Sequence, residues 1–384
     1  MQKNIVSKGY EKMAENKKLI TADNSFLTSK AIQAGWKNRS NDNLFDACDA
    51  DRRNRAAYNL QFSAIKSEFS TGTSVSAVIK NHKYFNIQEL GFVMDGKEGK
   101  VTFDKNDEDI TLDIACDLEK GTHTVTLFKR QDASHYFEFV GFEIDPDGEV
   151  LENPPLPARK IECYGDSVSA GAVCEAVDFV ASCDPEDHQG VYDNAWHSYA
   201  MITARNLGAQ IHNIAQGGIA IFDNTGYYHA PNYIGMESVY NKLCYFPEGA
   251  KGVTPWDFEN YTPDVVLFAV GQNDPHNEGH EDFDIADPDY RAKWKNAYKS
   301  IILDLRSKYP NATFVLLLTV LCHGEEWDKA VDEIANELND QKITHFMFTR
   351  TGKATPGHPR LPEQYEMAEE LTAYLSNMGD KIWG

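Results

Sequence analysis

Between about Asn24 and Pro146 apolar and polar residues alternate in short runs broken by turn residues, at 58–62, 74–79, 101–103, 109–114, 123–128 and 136–142. A period of two sends successive side chains to opposite faces of a strand, and short strands at this spacing predict a β-sandwich. Glu152-Asn153-Pro154-Pro155-Leu156-Pro157 then interrupts the pattern, because proline has no N–H for a sheet ladder and stiffens the backbone. The boundary predicted there separates an N-terminal β-sandwich at 1–153, with a short N-terminal extension, from a second domain at 158–384.

Beyond that boundary the rhythm becomes strand then helix. Residues 161–164, 209–215, 263–270 and 313–321 read as apolar strands, and 195–207, 290–309 and 363–375 as amphipathic helices. Such alternation predicts an α/β domain whose mostly parallel sheet is covered on both faces. Ligands of such sheets bind beyond the carboxyl ends of the strands. Three polar motifs begin where a predicted strand ends: Gly165-Asp166-Ser167-Val168, Gln216-Gly217-Gly218, and Gly271-Gln272-Asn273-Asp274.

Composition narrows the partners. A chain of 384 residues with 42% hydrophobic positions can build more than one core, and its net charge of −22 repels phosphate backbones and anionic bilayers. Nucleic acid and membrane are therefore not expected as partners, whereas sugars and acyl groups remain open, as does homo-oligomerisation. Charged residues follow closely on Met1 and leave no apolar leader segment, and the seven cysteines form no CxxC pair. Together these suggest a cytoplasmic protein with reduced thiols, secreted only if a leader has been removed.

Ser167, directly after a buried strand, is the candidate nucleophile. At a strand-to-helix turn its hydroxyl would be exposed, with its own amide among the free donors of a helix N-terminus; a helix N-cap at Asp166 or Ser167 explains the tripeptide as well. Gly217 and Gly218 allow a backbone amide to approach a substrate oxygen, or make a plain turn. Asn273 offers a non-titrating NH2 to an oxyanion, or initiates a turn before Asp274-Pro275. His358, in Gly357-His358-Pro359 just before a helical pattern, is a natural acceptor for the serine proton. The other histidines show no HxH, HExxH or Cys/His spacing, so neither metal nor cofactor is expected.

In order and setting these four blocks resemble those of the SGNH (GDS-type) hydrolases. Within that superfamily, His123–Arg130, Phe139-Val140-Gly141-Phe142-Glu143-Ile144-Asp145 and Trp256-Asp257-Phe258 look like carbohydrate esterase family 2. The resemblance implies an SGNH three-layer domain preceded by a jelly-roll-like sandwich. It implies Ser167 as nucleophile, His358 as general base, and the Ser167 amide, Gly218 and Asn273 as the oxyanion hole. Gly218 is preferred to Gly217 for its spacing from Asn213. The implied reaction removes O-acetyl groups from xylan- or mannan-type oligosaccharides. Aromatic side chains would contact the sugar, Trp327 first and then Tyr227 and Tyr228.

One position departs from the pattern. Where these enzymes commonly carry an acid, three residues before the histidine, this chain has Thr355, and no Asp or Glu occurs from Gln341 to Pro362. The expectation is a Ser/His dyad with the imidazole oriented by a backbone carbonyl, a remote carboxylate being the alternative. Two other functions compete: a carbohydrate-binding protein with a degenerate hydrolase domain, and an esterase or thioesterase for another short acyl group.

Overall fold

The computed structural model describes residues 17–21, 58–64, 73–83, 86–104, 109–135, 137–151, 156–244, 254–276 and 283–384. Residues 1–16, Tyr136 and positions 152–155 of the proline-rich interruption lie outside them, and with them the readings made there.

Among the described residues nine strands precede the interruption: β1 (Lys18–Thr21), β2 (Tyr58–Ala64), β3 (Thr73–Asn81), β4 (Gln88–Met94), β5 (Lys97–Phe103), β6 (Asp109–Leu118), β7 (Gly121–Lys129), β8 (Phe137–Ile144) and β9 (Glu149–Leu151). They form two antiparallel sheets, ordered β1-β8-β3-β6 and β5-β4-β7-β2-β9. Alternate residues from both sheets, including Val75, Ala77 and Ile79 of one and Leu90, Val125 and Leu127 of the other, enclose a single core. In β8 the buried set changes phase from Phe137 and Phe139 to Phe142 and Ile144, and the pairing with β3 shifts register between Val78 and Ile79. One extra residue in a strand reverses its inward face, which is why both pairs reach the core.

The parallel sheet is built from β10 (Arg159–Gly165), β11 (Ala209–Ala215), β14 (Val265–Ala269), β15 (Thr313–Leu316) and β16 (Ile343–His345), in the order β11-β10-β14-β15-β16. A small antiparallel pair, β12 (Lys242–Cys244) and β13 (Thr254–Pro255), lies between β11 and β14 in the chain. The helices are α1 (Tyr199–Asn206), α2 (Met236–Val239), α3 (Pro288–Lys308), α4 (Glu325–Leu338) and α5 (Leu361–Met378). In β14, Val265, Leu267 and Ala269 join a core with α1 and α5, while Val266 and Phe268 join one with α3 and α4. A strand buried on both faces has to be apolar throughout, which makes this layer legible in sequence. Strand order reverses at β10, so its carboxyl end opens onto the crevice where such sheets bind ligands.

Two local readings change. The helix expected at 195–207 starts with a 3-10 turn, Ala195–His197, and becomes α-helical only after Ser198, whose side chain caps Met201 N. Helix α4 was not anticipated, although Trp327, Ala330, Val331, Ile334 and Ala335 carry the helical period and are all buried.

Candidate active site

Ser167 follows β10 directly, yet no regular helix succeeds it. A single turn forms, with Ala170 N donating to Asp166 O at 3.0 Å, and then Gly171 and Val173 take positive φ angles of 68° and 54°, which an α-helix does not accommodate. The expected strand-to-helix turn is thus a strand-to-turn junction, and little helix dipole backs the serine. Rigidity comes from cross-links instead. Asn213 Nδ2 donates to Ser169 O at 2.7 Å, Gln364 Nε2 to Val168 O at 3.3 Å, and Val168 N to Asp166 Oδ1 at 3.0 Å.

His358 arrives from the loop before α5. Glu363 holds that loop, accepting from Arg360 N at 2.9 Å and Thr355 N at 2.8 Å, in a capping arrangement at the helix start. The imidazole Nε2 lies 2.9 Å from Ser167 Oγ. Its Nδ1 lies 2.6 Å from Asp184 Oδ2, and both side chains are partly buried. The expected dyad is corrected here: a carboxylate orients the imidazole, carried by a loop far upstream of the interval that lacks acids. Thr355, where an acid was sought, instead accepts from Ala181 N at 3.0 Å and tethers the loop that delivers Asp184. Gly357 makes the approach feasible, since a Cβ there would stand 2.4 Å from Asp184 Oδ1.

Asp184 has a second partner. Its Oδ1 accepts from His358 N at 2.9 Å and from Arg360 Nη1 at 2.8 Å, and Arg360 is 0% exposed. Burial acts to raise the Asp184 carboxyl, but the hydrogen bonds and charges of His358 and Arg360 outweigh it and hold it well below the usual carboxylate range. The acid stays ionised at any pH at which the imidazole could serve as a base.

The glycine and asparagine motifs converge on the same strand ends. Gly218 sits at φ 72° and would carry a Cβ 2.8 Å from Tyr227 Cβ. The Gly217 N–H is spent on Asp132 Oδ2 at 2.9 Å, which favours Gly218 of the two as a donor to substrate. Among the described residues no hydrogen bond engages the N–H of Ser167 or of Gly218. Asn273 Nδ2 donates to Ile219 O at 3.0 Å and makes only a long 3.4 Å contact with Asp166 Oδ2. Behind it lie two buried acids whose carboxyls burial raises, Asp166 up to about 6 and Asp274 up to about 7.

The aromatic expectations divide. Trp327 is 4% exposed, at the start of α4, edge-on to Tyr290 and Trp294 in the core, so it is not placed to touch a sugar. Tyr228 is likewise buried in that core. Tyr227 is 56% exposed and stacks on His276 with ring centroids 3.7 Å apart, over the Gly218 turn. The helical period from 327 to 335 held the signal against Trp327. For Asp184 the sequence held none beyond the missing acid itself.

Residues 50–154 match the family description "Carbohydrate esterase 2 N-terminal". The chain is 32% identical over 276 residues to an acetylxylan esterase / glucomannan deacetylase of Cellvibrio japonicus, covering 70% of this chain and 71% of that one. It is 32% identical over 286 residues to the cellulase/esterase CelE of Acetivibrio thermocellus, covering 72% of this chain but only 32% of that longer protein. A solved family two carbohydrate esterase from Clostridium thermocellum, in complex with cellohexaose, superposes with a TM-score of 0.66 at 28% identity, covering 85% of this chain and 94% of that one.

Proposed function

The chain belongs to carbohydrate esterase family 2, and from that premise we propose that it is a serine esterase removing O-acetyl groups from xylan- or mannan-type oligosaccharides. One observation carries the reading: the unbroken relay from Ser167 Oγ through His358 to Asp184, with bonds of 2.9 and 2.6 Å. The substrate class follows the Cellvibrio relative, whose name couples acetylxylan with glucomannan. We read 1–153 as a jelly-roll-like domain and 158–384 as the hydrolase domain, a division supported by two antiparallel sheets around one core followed by the parallel sheet.

In the first half-reaction His358 Nε2 takes the hydroxyl proton as Ser167 Oγ bonds to the acetyl carbonyl carbon. The imidazolium is stabilised through its Nδ1–H on Asp184 Oδ2. The oxyanion receives the N–H groups of Ser167 and Gly218 and the Asn273 N–H that otherwise has only the 3.4 Å contact. Collapse breaks the ester C–O bond, and His358 returns its proton to the departing sugar hydroxyl. Water then adds to the acyl-enzyme with His358 again as base, and acetate leaves while Ser167 recovers its proton. Tyr227, exposed beside the oxyanion turn, offers a ring face to the C–H surface of the sugar.

The test is acetate release from acetylated xylo- and manno-oligosaccharides, followed by NMR, for wild type, Ser167→Ala and His358→Ala. Release by wild type alone supports the reading. Binding of these sugars without release by wild type would make the protein a carbohydrate-binding one.

A further inference from the structure

After β7 the chain leaves the antiparallel sheets and runs along the ends of the parallel strands. Arg130, 2% exposed, pairs there with Glu89 of β4 at 2.9 Å and with Glu175, at the end of the serine turn, at 2.5 Å. The next residues bond across to the other sheet system: Ala195 N donates to Arg130 O at 2.7 Å, and Ala133 N to Ala215 O, at the last residue of β11, at 3.2 Å. The segment between these anchors carries Asp132.

The Asp132 carboxylate accepts four bonds. Its Oδ2 takes Gly217 N–H at 2.9 Å and Gln216 Nε2 at 3.1 Å, and its Oδ1 takes Ser134 N–H at 3.0 Å and His135 Nδ1 at 3.0 Å. Only an ionised carboxylate has the acceptor capacity for all four at once. Burial acts against that charge, but the hydrogen bond and charge of His135, with Lys129 and the Gly217 N–H, prevail and keep the group below its ordinary value. A Cβ on Gly217 would stand 2.5 Å from Asp132 Oδ2 and 3.9 Å from Ser167 Cβ, so this contact is made beside the nucleophile.

We infer that Asp132 is a positioning residue of the reaction: by holding the Gly217 N–H and the Gln216 amide it fixes the 217–218 peptide, so that the Gly218 N–H meets the developing oxyanion. The connection between β7 and β8, which the antiparallel sheets hold, is thereby part of the catalytic apparatus. The inference rests on the esterase reading for the role of Gly218. In Asp132→Asn one oxygen becomes an NH2, which faces either the Gly217 and Gln216 donors or those of Ser134 and His135. In Asp132→Ala the Gly217, Ser134 and His135 donors lose this acceptor, while Gln216 Nε2 keeps Ser134 Oγ at 2.7 Å and Gly217 O at 3.2 Å.

Outright loss of an oxyanion donor costs roughly 100- to 1,000-fold in turnover, and a displaced donor costs less. Asp132→Ala is expected to lower kcat about 10- to 100-fold, Asp132→Asn less, with KM little changed in both. The discriminating readout is affinity for a small boronic acid, which adds to Ser167 Oγ as a tetrahedral anion. That affinity should fall in parallel with kcat while the Kd for unacetylated oligosaccharide stays constant, in protein shown to be folded by its thermal melting. Unchanged kcat and boronate affinity, or a rise in KM alone, overturns the inference, as does a fall in boronate affinity matched by an equal fall in sugar affinity. Because boronate needs no acetyl substrate, a wild type that releases no acetate but binds boronate more tightly than its Asp132 variants would sink the substrate reading and leave Asp132 in its role.

Discussion

Replacing Asp184 by asparagine and by alanine separates two jobs that a carboxylate does for an imidazole. With the anion some 4 Å from the imidazolium in a half-buried site, an effective dielectric constant of about 20 gives roughly 4 kcal/mol of attraction. At about 1.4 kcal/mol per decade that is close to 1,000-fold in rate, and the buried Arg360 on the other oxygen offsets part of it. Asp184→Ala should therefore lower kcat by about 100- to 1,000-fold. Asp184→Asn should be worse. Oδ1 faces two groups that can only donate, His358 N and Arg360 Nη1, so the amide oxygen has to occupy that place and the NH2 falls where Oδ2 accepts from Nδ1. Nδ1 must then accept, the ring proton moves to Nε2, and the base is blocked, a tautomer error that costs about 10,000-fold in a serine triad. Both variants also leave Arg360 without its counter-charge, so the folded fraction is fixed by circular dichroism before kcat and KM are measured on p-nitrophenyl acetate. An asparagine variant as active as the alanine variant refutes the tautomer argument, and either variant within tenfold of wild type restores a dyad in which the carboxylate is a bystander.

Two further outcomes follow from burial and charge. Trp327→Ala should cost about 3–5 kcal/mol in urea unfolding by opening a cavity among Tyr290, Trp294 and the sheet, without a specific effect on KM. Tyr227→Ala should raise KM for oligosaccharide with stability unchanged within about 0.5 kcal/mol, and the reverse pattern for the pair would return Trp327 to the sugar site. Because burial raises Asp166 to about 6 and Asp274 to about 7, the native state holds protons that the unfolded chain releases near pH 4. Unfolding free energy should accordingly fall as pH rises from about 4 to 7, by up to ~4 kcal/mol for Asp274. Asp184, with its carboxyl depressed, acts in the opposite sense and only at lower pH. In Asp274→Asn one oxygen can still accept from both Trp294 Nε1 and Ile221 N, as Oδ1 does now, so the variant should fold and lose most of that slope; an unchanged slope in denaturant titrations from pH 4 to 8 would refute the assignment.

Periodicity and turn chemistry act over a few residues, so what they encode could be read along the chain. The apolar run in β14, buried on both faces, announced a covered parallel sheet, and the Ser167, Gly218, Asn273 and His358 motifs were found because each lies where a strand ends or a helix begins. Trp327 was misread for want of one local inference, the helical period of α4. Other features are local in no sense. Asp184 reaches His358 across 174 positions, and Asp132 reaches Gly217 across 85, each from an irregular segment with no period of its own. Such contacts exist only once two sheets and their loops have packed, because a carboxylate needs a fixed partner within about 3 Å, and that distance is set by the whole fold. Chain pattern determined the layers and set Ser167 at a strand end; tertiary packing decided which acid meets His358 and which one holds the Gly217 N–H.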